Sequence, residues 1–167
     1  MIPPCVTINI VNNIDQLLTI ARSRADSWLN GAEERTMKGP WNLGIKVRDL
    51  DAELAFLDAC GATQIQKGMT RGNDGDEAYG MAFLGPQRLL LFPHVLYEDK
   101  LAEPLKYGLA HAVFEVPAVD EVVQRLERRG IRPIWGPANL PTAFGHRRLA
   151  FFRSPSGFVF ETFEHLS

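Results

Sequence analysis

A chain of 167 residues with 46% hydrophobic and 23% charged side chains has the makeup of a folded protein and not of a disordered one. Its formal net charge of −2 gives no basic footprint for nucleic acid or an anionic membrane surface. No apolar run approaches the ~20 residues of a spanning helix, and the opening MIPPC lacks a signal-type basic and apolar region, so a cytoplasmic location is expected.

In chain order, VTINI at 6–10 reads as a short strand. Asn12 or Asn13 then caps a helix whose apolar residues Ile14, Leu17, Leu18, Ala21, Ala25 and Trp28 follow the 3.6-residue period, with Gly31 just past its end. This assigns residues 1–40 to an N-terminal extension whose apolar stripe needs a cover. Cys5 and Cys60 lack metal-ligand spacing and are expected to be reduced thiols.

A first module over 41–94 starts with a strand at 43–47. A helix follows with Leu50, Leu54 and Leu57 on one face and Gly61 as its stop. Residues 62–66 read as a second strand and 68–77 as a glycine- and charge-rich loop. Two further strands at 79–84 and 88–92 meet at the turn GPQ. A linker over 95–107 leads to a second module at 108–165 in the same order. It has a strand at 111–116, a helix carrying Val119, Val122, Val123 and Leu126, and the stop Gly130. A strand at 132–135, a loop at 136–146 and a hairpin turning at SPSG then close the chain.

The two modules are copies. NLGIKV at 42–47 recurs as HAVFEV at 111–116, and 111 − 42, 116 − 47, 120 − 51 and 130 − 61 all equal 69. A repeat of this length is one supersecondary unit built twice. The expected fold class is α+β, with two βαβββ modules forming a half-barrel behind an N-terminal helical extension. One such module leaves a sheet face bare; two side by side curl into a concave surface that suits a small-molecule ligand.

The paired modules, the opening LGIKVRDLDAELAFLDACGA and above all the closing RRLAFFRSPSGFVFETFE resemble the vicinal oxygen chelate superfamily. That group includes glyoxalase I, methylmalonyl-CoA epimerase, extradiol dioxygenases and bleomycin-resistance proteins. The resemblance covers residues 41–165, with Ser154 standing where members commonly carry Asp. It implies a small-molecule enzyme acting on adjacent substrate oxygens, or a metal-free ligand-binding protein of the bleomycin-resistance kind. It also implies a homodimer.

Metal-dependent members take one ligand from the first and last strand of each module. By that resemblance His111 and Glu161 match the second module's positions, while Asn42 and one of Leu89, Leu90 or Leu91 fill the first's. The implied cofactor is a divalent metal (zinc, iron, nickel or manganese) on His111, Glu161 and Asn42. The other reading is a metal-free polar pair of His111 and Glu161, with no cofactor.

Strand alternation sets Glu161 near Phe151 and Val159, where an apolar wall raises a carboxyl pKa and suits it to act as a general base. Lys46, on the strand face of Asn42, is expected to point into the cavity beside Arg147, Phe151 and Trp135 as substrate contacts. Tyr79 and Phe144 are placed near its mouth. His94 and His146 are weaker candidates for ligand and acid–base roles. The 136–146 loop reads as a lid or as a static surface loop.

Overall fold

The computed structural model describes residues 37–167; the expected strand at 6–10 and the helix that follows it lie outside them. Two short helices are set by local sequence. Helix α1 (Leu50–Ala59) starts where the Asp49 carboxylate accepts the backbone N–H of Asp51 and Ala52, both at 3.0 Å. It ends at Gly61, whose φ of +86° supplies the left-handed turn. Helix α2 (Val119–Glu127) has Ala118 at its cap position, with no side chain able to cap. Glu164 instead reaches across from the last strand and accepts the Val119 N–H at 2.8 Å.

The strands β1 (Lys38–Lys46), β2 (Thr63–Arg71), β3 (Asp76–Leu84) and β4 (Gln87–Phe92) surround α1. The strands β5 (Gly108–Glu115), β6 (Trp135–Thr142), β7 (Gly145–Arg153) and β8 (Val159–His165) surround α2. All eight form one sheet in the order β2-β3-β4-β1-β5-β8-β7-β6. Within each module the first and last strands run parallel, and β1 meets β5 antiparallel at the junction. The curled sheet has two apolar faces. On the outside, α1 buries Leu54 and Leu57 against Ala82, Leu89 and Leu91, and α2 buries its valines against Ala150 and Phe152. On the inside stand Leu90 with Tyr79 and Met81, and Val113, Leu149, Phe151 and Phe163. The far edges approach each other, with the Ala143 N–H directed at Thr70 Oγ1 at 3.4 Å. No helix among the described residues is long and apolar enough to cross a membrane.

Three segments differ from the sequence expectation. The strand expected at 62–66 runs on to Arg71, so the expected 68–77 loop shrinks to residues 72–75. Residues 136–146, expected as a lid or surface loop, are mostly the strand β6, whereas 132–134 are not strand. Pro137 and Pro141 misdirect the reading here. Proline is tolerated because β6 is an outermost strand, where half the backbone donors need no sheet partner. The linker is more than a tether. Val95 and Tyr97 are buried, a 3-10 turn spans Glu98–Lys100, and the Tyr97 hydroxyl donates to Ala110 O at 3.0 Å.

Gly136 opens β6 with φ +78°, and a Cβ placed there would lie 2.6 Å from Leu149 O. Gly136→Ala is therefore expected to lose about 2–3 kcal/mol, measured by urea unfolding; an unchanged midpoint would contradict this packing of β6 on β7.

Candidate functional site

The junction of the two copies builds the site. Across β1 and β5, Gly44 stands opposite His111 and Asn42 opposite Val113. The missing side chain at Gly44 is what admits the imidazole, since a Cβ there would come within 2.5 Å of His111 Nε2. The next strands continue the row, with Val113 beside Glu161 and Glu161 beside Phe151. Asn42, His111, Glu161 and Phe151 are thereby gathered on the concave face by backbone register alone.

These polar groups are deeply buried: Asn42 is 1% exposed, His111 and Arg147 4%, and Glu161 8%. His111 Nε2 lies 3.5 Å from Glu161 Oε2, too far for a strong hydrogen bond. The imidazole is held edge-on by Phe151 at 5.2 Å and Tyr97 at 5.7 Å between ring centres. Burial lowers the His111 pKa to about 4, so the ring is neutral at physiological pH. Burial pushes Glu161 up to about 7, against the opposing pull of the Arg147 charge. Burial also lowers Arg147 to about 10, with Glu161 pulling the other way, which leaves it a cation at neutral pH.

The guanidinium of Arg147 sits in a corner formed by two aromatic rings, Trp41 and Phe163, which meet edge-on. Its central carbon lies 4.2 Å from the Trp41 ring centre and 4.1 Å from that of Phe163. Arg88 stacks on the same indole at 3.9 Å. Among the described residues no acceptor reaches Arg147 Nε or Nη2, or Asn42 Nδ2. Buried donors normally find partners, and these three have none among the described residues.

A cavity of about 80 Å³ is lined by Asn42, His111, Arg147, Phe151 and Glu161, with Leu90, Phe144 and Leu149 as apolar wall. At roughly 30 Å³ per water, that volume admits a fragment of a few heavy atoms. Two expected contacts lie elsewhere. Lys46 is on the predicted face, but its ammonium is taken by the Glu98 carboxylate and by Leu105 O at 3.1 Å. Those partners come from the linker, which strand alternation does not place. Trp135 stands behind Phe151, edge-on at 5.9 Å, and does not line the cavity. Tyr79 is buried against Phe144, not at the mouth. His94 does line the cavity, is 77% exposed, and has Nδ1 3.4 Å from Glu77. His146 lies on β7 outside it.

Trp41 and Tyr97 escaped the sequence reading. Adjacent strand residues should face opposite ways, yet Trp41 and Asn42 both reach the concave side. The β1–β5 register shifts between Lys38 and Asn42, and such an irregularity re-aims a side chain. Tyr97 belongs to a linker that carries no strand period.

The donor set does not fit a resident divalent ion. Register makes the comparison direct: Gly44 pairs Leu90 as Val113 pairs Glu161, and 113 − 44 is the repeat of 69. The counterpart of the Glu161 carboxylate is thus Leu90, and the counterpart of His111 is Asn42. Among the described residues no three of His, Cys, Asp and Glu converge. His94 and Glu77 also line the cavity but do not converge with His111 and Glu161, and one imidazole, one carboxylate and a weak amide oxygen fall short of the three good ligands a catalytic zinc or iron needs. Arg147 adds a fixed positive charge to the same cavity.

Comparison with known proteins agrees with this architecture. The model of the family described as "Glyoxalase/Bleomycin resistance protein/Dioxygenase superfamily" matches residues 18–162. A hypothetical protein from Bacillus halodurans C-125 superposes with a TM-score of 0.53 at 20% identity, covering 75% of this chain and 93% of that one. A methylmalonyl-CoA epimerase variant from Streptomyces coelicolor, in complex with 2-nitronate-propionyl-CoA, gives 0.53 at 18%, covering 79% and 97%. A superfamily member from Vibrio splendidus 12B01 gives 0.50 at 14%, covering 78% and 100%. At these identities the structures share the fold and no more. A search of curated proteins finds no match.

Two outcomes follow from the geometry. Gly44→Ala should displace the His111 ring and cost about 1–3 kcal/mol, read as a fall in Tm; retention of wild-type Tm would contradict the close approach. The second concerns pH. Folding holds the Glu161 proton from 4.5 up to about 7, so this group's contribution to stability falls as pH rises through that window. His111 is lowered from 6.5 to about 4, so its contribution rises with pH between those values and largely offsets Glu161 there. Glu161→Gln removes only the first effect. Its stability relative to wild type should therefore climb between about pH 4.5 and 7, gaining on the order of 3 kcal/mol. Parallel pH–stability curves would contradict the burial of this carboxyl.

Proposed function

The chain belongs to the Glyoxalase/Bleomycin resistance protein/Dioxygenase superfamily, and from that premise we propose an enzyme that moves a proton alpha to a carbonyl in a small oxygen-rich substrate. The observation that carries this reading is Glu161: a carboxyl with a pKa of about 7 in a cavity that also holds Arg147 and Asn42, whose N–H donors have no acceptor. A general base works best when its pKa lies near the operating pH. In its carboxylate form Glu161 accepts the proton from carbon as the carbonyl oxygen gains negative charge. The positive charge of Arg147 in the same cavity stabilises that developing charge, which is worth most in a site that excludes water. Return of the proton to a different carbon of the enolate completes an isomerisation, and return to the same carbon gives exchange with solvent.

His111 supports this arrangement as a neutral ring. An imidazolium beside Glu161 would pull the carboxyl back down to the ordinary acidic range; burial prevents that. A second reading has its own observation. Leu90 and the apolar wall around it suit a protein that sequesters its ligand, and binding without proton transfer would favour it.

Solvent-deuterium exchange into a panel of small 2-oxo and 2-hydroxy acids and their esters, followed by proton NMR, tests the reading. Wild type should exchange the alpha proton of at least one compound. Its rate should rise with pH around a midpoint of about 7, and Glu161→Gln should lose at least about a hundredfold. Exchange that survives in the variant would remove Glu161 from the role of base.

A further inference from the structure

A base as deeply buried as Glu161, 8% exposed, needs a route by which a proton taken from carbon reaches solvent. Six ionisable side chains line its cavity: Arg71, Glu77, His94, His111, Arg147 and Glu161. The two arginines hold their protons near neutrality, and His111 is as buried as Glu161 itself. Glu77 and His94 differ from the rest. They come from the first module, and they are the ionisable groups that line both the cavity and the wider groove outside it.

Sheet register brings these two together. β3 and β4 pair Met81 with Leu90 and Gly80 with Leu91, and three residues beyond that last pair the same register sets Glu77 opposite His94. The side chains meet there, with His94 Nδ1 3.4 Å from Glu77 Oε2. That is long for a hydrogen bond, as proton-transfer pairs often are before substrate draws them together. The carboxyl is seated against Gly72, where a Cβ would lie 2.9 Å from Glu77 Oε1. Its side chain is 22% exposed, whereas that of His94 is 77% exposed. Burial raises the Glu77 pKa and the His94 contact pulls it back, so the imidazole is what favours its ionised form. A carboxylate facing Nδ1 keeps the proton on that nitrogen and leaves Nε2 free to exchange.

We propose that His94, oriented by Glu77, is the proton port of this cavity, carrying the proton that Glu161 removes from substrate out to solvent and running the same transfer inward. The proton leaves the Glu161 carboxyl, passes through water to His94 Nε2, and the resulting imidazolium gives one proton to a base in solution. The cavity of about 80 Å³ has room for about three waters at roughly 30 Å³ each, and a file of three, hydrogen-bonded at about 2.8 Å, carries a proton some 11 Å. A substrate held at the inner end leaves His94 wet, since this residue also lines the groove. Glu77 is a positioning residue, because it acts only through His94. The assignment rests on the proton-transfer reading of Glu161, and it divides the work between the copies: the second module supplies the base and the first its outlet.

The test uses the full chain and the panel compound that wild type exchanges fastest, with free imidazole as the probe of the port. In weakly buffered heavy water, His94→Gln should take up deuterium into that compound about tenfold more slowly than wild type, with KM unchanged. Added imidazole should restore most of the rate to His94→Gln and none to Glu161→Gln. Glu77→Gln should slow exchange by a smaller factor, also recovered by imidazole. Circular dichroism establishes that each variant is folded, and if His94→Gln is not, Glu77→Gln decides. An undiminished rate in the folded variant, or a reduced rate that imidazole leaves unchanged, would overturn the port and leave Glu161 as the base. Absence of exchange by wild type with every compound would overturn both.

Discussion

A carboxyl and a guanidinium are buried in one apolar cavity without being allowed to pair, and the rest of the site depends on that constraint. Were Glu161 and Arg147 in contact, the carboxylate would be stabilised and its pKa would drop into the acidic range. Held apart, the carboxyl keeps its proton to about pH 7 and the cation keeps donors to spare. The spacer is Phe163, interposed on β8 between the levels of the two groups. Leaving a buried acid and a buried cation unpaired costs stability. Such a cost persists at sites that use the strain for binding or chemistry.

The scaffold supports this separation from several sides. Gly44 clears room for the His111 ring, which burial keeps neutral and which therefore does not compete for the Glu161 charge. Trp41 and Phe163 form an aromatic corner around the guanidinium, and Arg88 stacks on the same indole. The linker closes the floor through Tyr97, and its Glu98 draws off the Lys46 ammonium that would otherwise add a second cation. The outer faces of the same strands carry the helices, so side-chain alternation converts one sheet into both a core and a cavity.

Much of this was legible in the sequence, for identifiable reasons. The 69-residue repeat is a backbone property, and with it come the two modules, the sheet pairing and the meeting of Asn42, His111 and Glu161. Arg147 and Phe151 follow from period-two alternation on β7. What the sequence hid depends on contacts distant along the chain. Lys46 was read toward the cavity because nothing local announces Glu98, fifty-two residues away. Trp41 was hidden by a register shift that breaks alternation, and β6 by two prolines that only an edge strand tolerates. The leucine run of β4 left three candidates for the inward position; register with β1 selects Leu90.

The central claim is that Glu161 is a buried acid near neutrality, and its titration can be followed directly. Difference infrared spectroscopy of wild type against Glu161→Gln isolates the carboxyl band of this one residue as pH is raised. The account predicts a protonated carboxyl at pH 5.5 that ionises with a midpoint of about 7. A midpoint near the ordinary 4.5 of a free glutamate would show that the carboxyl is solvated or paired, and would contradict the account.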